Sequence, residues 1–316
     1  MVGNTLETPP KLPSQPRQSL GAKQLATLNQ KSNLQGLLRL GIHLSIMAIS
    51  GYCWAIARTH DLLLAIPALI VYGASIATMF APLHECVHRT AFASRRLSDG
   101  VAWLAGLLSF YNSTFFRRYH QWHHRYTQIP GKDPELCDPK PTNLLEYIWQ
   151  ISGLPWWLGK IRGHFKVATG QLEEYFFLPE SVAAAAIRST RLQLVVYGGA
   201  IALSMILGHP LAVFWYWVLP LAVGQPLLRY ILLAEHTNCT LDDNPLTNTR
   251  TTLTLLPIRL LMWNMPFHVE HHLYPSIPFH QLPTAHQELK QDFVHLEPGY
   301  IKVNRDIVGN LEQKNR

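Results

Sequence analysis

The chain contains 316 residues, of which 48% are hydrophobic and only 15% are charged, whereas an ordinary soluble domain carries about 25% charged residues. Its formal net charge is +7, and its four cysteines are far apart and form no CxxC pair. Together these features exclude a disordered chain, a collagen-like chain and a small disulfide-stabilised scaffold.

The N-terminal segment is rich in proline and polar residues, as in MVGNTLETPPKLPSQPRQSL. We predict a disordered polar tail over residues 1–34, followed by a single membrane domain over residues 35–316. The tail is not expected to be a signal peptide, because no apolar segment with a small-residue cleavage site follows a short basic start.

Four apolar blocks follow, at residues 40–57, 62–83, 192–207 and 211–228. A helix needs roughly 20 apolar residues to cross a bilayer, so the blocks and their flanks predict an all-α integral membrane protein. Buried helices of a soluble protein are disfavoured, since the second block has no polar face. The predicted transmembrane helices cover residues 37–58, 62–83, 190–207 and 211–233.

Two very short connections, residues 58–61 and 208–210, predict that the four helices form two hairpins. Of the 27 lysines and arginines, only Arg58 falls in these turns. The positive-inside rule therefore places the turns outside, and both termini and a helical cap (84–189 and 234–316) in the cytoplasm. Aromatic residues within 144–158 favour helices that lie along the membrane surface there, as does the interrupted apolar segment 97–110.

Histidines are unusually frequent, with sixteen in the chain, and many lie in three clusters. The clusters are HECVH at 84–88, HQWHH at 120–124 and HVEHH at 268–272. On a helix, positions i, i+3 and i+4 share a face, so each cluster presents two or three imidazoles together. His236, at the end of the fourth predicted helix, is a further candidate. The predicted metal ligands are His84, His88, His120, His123, His124, His236, His268, His271 and His272.

Imidazole is a good ligand for iron, zinc, copper and nickel. Nine ligands are too many for one ion, but they match two ions with four or five nitrogens each. Iron fits best, because a redox metal gives such a site a chemical purpose. The remaining histidines are interpreted as packed or solvated side chains: His43, His60, His164, His209, His280, His286 and His295.

Two other functions can be formulated from the same residues. The first cluster also reads HExxH, the zinc-peptidase signature in which the glutamate, here Glu85, activates a metal-bound water. An intramembrane protease also needs a third ligand, typically the aspartate of a Leu-Asp-Gly sequence, and Leu241-Asp242-Asp243 lacks the glycine. A metal transporter or sensor would need polar residues along a path through the membrane, where only His43 is found.

The motifs HECVHRTAF, YHQWHHRYT and FHVEHHLYPSIPFHQLP resemble the three boxes of the membrane fatty acid desaturase superfamily, the histidine-box non-haem di-iron enzymes. The resemblance covers roughly residues 80–282. It implies two iron ions, dioxygen as co-substrate, a membrane lipid or acyl substrate, and a separate ferredoxin or cytochrome b5-like electron donor. No nucleic acid partner is expected, and the form is closer to bacterial or cyanobacterial members than to those of the endoplasmic reticulum.

The resemblance also assigns single residues. His236 matches the isolated histidine that precedes the third box. Acyl-CoA desaturases place an asparagine one turn earlier, where this chain has Leu232, and Asn238 follows two residues later instead. We further expect carboxylates beside the boxes to orient the imidazoles, and basic residues beside the second box to contact a headgroup or an electron donor. These are Glu85, Asp133 and Glu270, and Arg117, Arg118 and Arg125, respectively.

The predicted function is therefore that of an oxidoreductase, an oxygen-dependent desaturase that introduces a double bond into a lipid acyl chain. A hydroxylase or ketolase of the same architecture, acting on a carotenoid or another long apolar substrate, is the alternative. Such relatives share the box spelling, so the motifs alone do not separate the two.

Overall fold

The computed structural model describes residues 20–314, in which nearly all regular structure is helical. Residues 1–19, the larger part of the predicted tail, lie outside the described residues. The two short strands, β1 (Thr251–Thr252) and β2 (Leu296–Glu297), pair in parallel. The helices are α1 (Ala22–Leu28), α2 (Asn33–Ala57), α3 (Leu62–Ala77), α4 (Phe80–Val87), α5 (Arg95–Leu108), α6 (Ser113–Tyr126), α7 (Leu144–Ile151), α8 (Leu154–Thr169), α9 (Glu180–Ile206), α10 (Leu219–His236), α11 (Pro245–Asn248), α12 (Leu256–Leu261), α13 (His268–Leu273), α14 (Leu282–Leu289) and α15 (Tyr300–Lys314).

Four helical segments of the described chain are long and apolar enough to cross a membrane: Asn33–Ala57, Leu62–Val87, Glu180–Ile206 and Phe214–His236. Large apolar side chains are exposed along them, which is the surface that lipid requires. Leu63 is 84% exposed and Ile206 is 81% exposed. The prediction of an all-α membrane protein with four spanning helices is confirmed.

The boundaries of these helices follow from local capping and from helix-forming sequence. The Ser32 side chain accepts the N–H of Gln35 at the start of α2, and the Asp61 side chain accepts the N–H groups of Leu63 and Leu64 at the start of α3. Helix α9 begins at Glu180, ten residues before the predicted boundary at 190, because an alanine-rich turn extends the helix beyond the apolar block. The fourth segment opens with a short π-helix, Phe214–Val218, before α10.

Helices α3 and α10 approach each other through two glycines. A Cβ on Gly224 would lie 1.9 Å from the carbonyl oxygen of Gly73, and one on Gly73 would lie 2.3 Å from that of Pro220. Because no side chain fits between them, the two backbones are in direct contact. This contact joins α3, which leads into the first histidine cluster, to α10, which ends at His236.

The largest group of buried apolar side chains lies against the histidine-bearing ends of the helices. It joins α4, α5, α6, α10 and α15, with Phe80, Phe116 and Tyr300 among its members. A second group packs α1 against α13 and α14 through residues such as Leu28 and Leu282. The clusters of histidines are thus held between packed helices on several sides.

Candidate metal centre

Nine histidine side chains meet in two adjacent groups. In the first group each residue offers one ring nitrogen, and these nitrogens all lie within 4.8 Å of one another. Its members are His84, His88, His120, His124 and His271. The second group contains His123, His236 and His272, related in the same way. His268 joins it, since its Nε2 atom lies 3.1 Å from Nε2 of both His236 and His272.

Helix geometry explains how each cluster contributes. His84 is in the last turn of α4 and His88 directly follows that helix, so the two imidazoles lie one above the other. On α6, His120 and His124 enter the first group whereas His123 turns to the second. On α13, His271 and His272 divide in the same way. Both HxxHH motifs therefore supply imidazoles to both groups.

The donor atoms of the first group fit a shared cation. Nε2 of His124 lies 3.0 Å from Nε2 of His120 and 3.0 Å from Nε2 of His271. A neutral imidazole has only one N–H, so hydrogen bonds cannot satisfy three converging ring nitrogens. Two nitrogens bonded to one ion at about 2.1 Å and at right angles to each other would have about this separation. The buried Nε2 atoms of His84 and His88 have no hydrogen-bond partner either.

The second group is oriented by hydrogen bonds to its outer nitrogens. Nδ1 of His123 lies 3.0 Å from Oδ1 of Asp133, and Nδ1 of His236 lies 3.0 Å from the carbonyl oxygen of Asn248. Because carboxylate and carbonyl oxygens accept, these two Nδ1 atoms carry the proton and the Nε2 lone pairs are left for a metal. Nδ1 of His272 lies 3.2 Å from the Thr127 hydroxyl.

Burial keeps most of these imidazoles neutral. It lowers the pKa of His88 to about 3. It also holds the pKa of two histidines on α6 and of all three histidines on α13 well below the usual value. These are His120, His124, His268, His271 and His272. Burial would also lower the pKa of His123, but the carboxylates of Glu135 and Asp133 outweigh it and raise this pKa. Neutral imidazoles bind metal without first losing a proton.

Of the three carboxylates expected to orient imidazoles, only Asp133 contacts a histidine of the two groups. Glu85 accepts the backbone N–H of Phe279 at 2.9 Å. Glu270 is fully buried, accepts the Thr251 hydroxyl at 2.5 Å and pairs with Nδ1 of His286. The expectation that Glu85 and Glu270 orient imidazoles of the two groups was wrong. Each carboxylate instead connects its own helix to a distant segment of the chain.

Glu235 is a residue of the site that the sequence reasoning missed. Its Oε2 atom lies 3.6 Å from Nε2 of His268, and its buried Oε1 atom has no hydrogen-bond partner. An acidic residue inside an apolar spanning segment is itself a signal of function, and Glu235 directly precedes His236 in the sequence.

The arginines beside the second box all lie on α6, and the charge of Arg117 contributes to the lowered pKa of His88. Arg117 pairs with Asp99 at 2.6 Å. Arg118 donates to the Gln121 side chain at 3.3 Å, and the guanidinium of Arg125 lies over the Tyr126 ring. Their contacts are therefore to neighbouring side chains.

The spans and the histidine groups define a helical membrane protein with a centre that could hold metal. A family model described as fatty acid desaturase matches residues 61–304, which include all nine histidines. The chain belongs to the fatty acid desaturase family and is an oxidoreductase of the desaturase type. This confirms the resemblance seen in the histidine motifs.

Two named desaturases are similar to the chain over most of its length. It is 25% identical over 270 residues to the sn-1 oleoyl-lipid 12-desaturase of Picosynechococcus sp., covering 79% of this chain and 76% of the relative. It is 28% identical over 265 residues to the dihydrorhizobitoxine desaturase of Bradyrhizobium elkanii, covering 75% of this chain and 69% of the relative.

Proposed function

We propose that the protein is an oxygen-dependent desaturase that introduces a double bond into the acyl chain of a lipid, with two iron ions held by the nine histidines. The observation that carries this proposal is the convergence of nine imidazoles from α4, α6, α10 and α13 in two adjacent groups. The similarity to an enzyme named as an oleoyl-lipid desaturase supports an acyl substrate.

One iron would be held by the first group, His84, His88, His120, His124 and His271. The other would be held by the second group, His123, His236, His268 and His272. When bound, the iron ions supply the oxidising power that breaking an unactivated C–H bond requires and that no side-chain acid or base has. Overall, two hydrogens leave neighbouring methylene groups, and dioxygen, two further electrons and two protons give two molecules of water.

The protein's own residues keep this site ordered and dry. Asp133 and the Asn248 carbonyl fix two imidazoles of the second group, and Phe80 and Phe116 pack against His84 and His120 of the first. These apolar rings suit the methylene groups of an acyl chain, which the protein must hold with the reacting carbons beside the metal.

The membrane arrangement belongs to the same proposal. The short connection between α2 and α3, and that between α9 and the π-helix, would form the outer turns of two hairpins. The histidine groups would then face the cytoplasm of a bacterial or cyanobacterial cell, as the positive-inside rule favours. A separate ferredoxin or cytochrome b5-like protein would supply the electrons there.

The test is expression in a host that lacks the activity, with ferredoxin present, followed by lipid and pigment profiling. New unsaturated acyl chains and two irons per purified chain are the expected results. Oxygenated pigments without new double bonds would instead support the hydroxylase or ketolase alternative. A single zinc per chain would contradict the proposal and would favour the zinc-peptidase alternative. The contact of Glu85 counts against that alternative, because its carboxylate accepts a backbone N–H and does not contact a histidine.

A further inference from the structure

A group of cationic side chains lies between α8 and α10, away from the histidines. The ammonium of Lys160 on α8 is 3.4 Å from the centre of the Tyr111 ring. The guanidinium of Arg229 on α10 donates to the Tyr111 hydroxyl at 3.3 Å, as the Trp156 indole does at 3.0 Å. Two cations thus converge on one tyrosine.

This group has hydrogen-bond donors but no acidic acceptor. Among the described residues, neither Lys160 nor Arg229 forms an ion pair, and the ammonium of Lys160 has no hydrogen-bond acceptor. The buried Nε atom of Arg229 is also unpartnered. The Tyr111 hydroxyl accepts two hydrogen bonds, so its own proton is free to be donated. An anion would satisfy all of these donors at once.

A buried polar side chain beside Arg229 also lacks hydrogen-bond partners. Gln225 lies one turn before Arg229 on the same face of α10, is 0% exposed, and has no partner for either side-chain polar atom. A Cβ on Gly153, at the start of α8, would lie 2.8 Å from the Gln225 Cβ, which shows that α8 and α10 are in contact at this level. A polar ligand between the helices would provide the missing partners.

The electrostatics agree with the geometry. Burial, together with the nearby charge of Arg229, lowers the pKa of Lys160 to about 7, although the more weakly acting charge of Asp138 opposes this shift. A cation destabilised in this way gains from a neighbouring negative charge. Glu235, the carboxylate that follows on α10, is close enough to Arg229 for their charges to interact but forms no ion pair with it, and its Oε2 atom lies 3.6 Å from Nε2 of His268.

The group also lies at a suitable distance from the histidines. Arg229 precedes His236 by seven residues on α10, which is about 10 Å along a helix axis. Between the two sites lie Phe80 and Phe116, whose rings contact both Tyr111 and a histidine of the first group. An anion at Lys160 and Arg229 could therefore continue as an apolar chain that reaches the histidines.

We propose that Lys160, Arg229 and the Tyr111 hydroxyl bind the anionic group of the substrate, a carboxylate or a phosphate, and thereby set which carbons of its chain reach the histidines. This inference rests on the proposed desaturase function. The anion could be the carboxylate of a free fatty acid or the phosphate of a phospholipid, and the two sources are distinguished by experiment.

The test is equilibrium binding to the detergent-purified, iron-loaded protein. Two pairs of probes are compared: oleate with methyl oleate, and dioleoyl phosphatidate with dioleoylglycerol. The charged member of one pair is expected to bind at least about tenfold more tightly than its neutral partner. The pair that shows this preference identifies the source of the anion.

Arg229→Gln and Lys160→Met are each expected to remove that preference while leaving binding of the neutral probe unchanged. Arg162→Gln, which removes an exposed cation from α8, is the matched control and keeps it. Iron content reports that the variants are folded, and two independent variants guard against failure of one. Equal preference in wild type and both variants, or no preference in wild type, would overturn the proposal.

Turnover separates this proposal from the proposed function. If the wild type desaturates lipids but shows no charge preference, the anion site is overturned and the function stands. If charge preference depends on Lys160 and Arg229 but no substrate is desaturated, the anion site is supported and the proposed function fails.

Discussion

Nδ1 of His123 lies 3.0 Å from one carboxylate oxygen of Asp133 and 3.1 Å from the other, and both side chains are at most 1% exposed. The same carboxylate accepts the backbone N–H groups of Gln128 and Glu135 at 2.7 and 2.9 Å. The loop that follows α6 is therefore folded around Asp133, and Asp133 in turn fixes the orientation of one imidazole in the second group.

Replacement of Asp133 by asparagine should weaken metal binding in the second group. The amide removes the negative charge that favours Nδ1–H on His123, and loss of such a supporting carboxylate commonly costs 10–100-fold in metal affinity, about the range we expect here. Competition with a chelator, followed by iron determination, measures the effect. Asp306→Asn, at an exposed position on α15, should leave the affinity unchanged; equal affinities in both variants would contradict the role of Asp133.

Loss of a single ligand should affect one group more than the other. His271→Ala removes a member of the first group, so the bound iron should fall from about two ions per chain towards one, because the second group keeps all its nitrogens. Elemental analysis of purified protein measures the stoichiometry, and desaturation should be lost with it. His209→Ala changes an exposed histidine outside both groups and should retain two ions and full activity. A His271→Ala protein that kept two bound irons and full activity would refute the assignment of His271 as a ligand of the first group.

Local spacing in the sequence predicted which histidines come together but not which of the two groups each one joins. The i, i+3, i+4 pattern brings His120, His123 and His124 onto one helix, but His123 joins different partners from the other two. That division depends on how α6 faces α10 and α13, which are far away in sequence. The contacts of the Asn248 carbonyl with His236 and of Thr127 with His272 could not be anticipated for the same reason. Glu235 did carry a signal, since it is an acidic residue in an apolar spanning segment.

The spanning helices show a similar limit. Apolar content identified all four, because lipid requires an apolar surface over the whole span. The helix that contains the third predicted span, α9, begins ten residues before that span, because it continues through Arg188 and Arg191, which interrupt the apolar pattern. The Gly73–Gly224 contact between α3 and α10 is invisible to composition, since glycine in a helix has no packing preference until its neighbour is known.

Removal of metal should destabilise the protein. The nine imidazoles connect α4, α6, α10 and α13, and an ion that binds only the folded state raises its stability by mass action. Treatment with a strong chelator should therefore lower the thermal midpoint in detergent by several degrees, about 2–4 °C for each kcal/mol lost. Differential scanning fluorimetry measures this shift. Restoring iron should recover both the thermal midpoint and desaturation, whereas zinc should recover only the midpoint. An unchanged midpoint after complete metal removal would show that the histidine groups do not hold structural metal.

The glycine contact between α3 and α10 should be intolerant of any side chain. Gly224→Ala places a methyl group where the Gly73 carbonyl oxygen lies, so the helices must separate, and strain of this kind typically costs about 1–3 kcal/mol or more. Because α10 carries His236 at its end, separation should also lower iron content. Gly199→Ala is the matched control, since it adds the same methyl group to a spanning helix at a position with no atom within 4 Å. The thermal midpoint and iron content of the two variants are measured side by side, and both should be lower for Gly224→Ala. Equal values would show that the backbone contact does not fix α10 against α3.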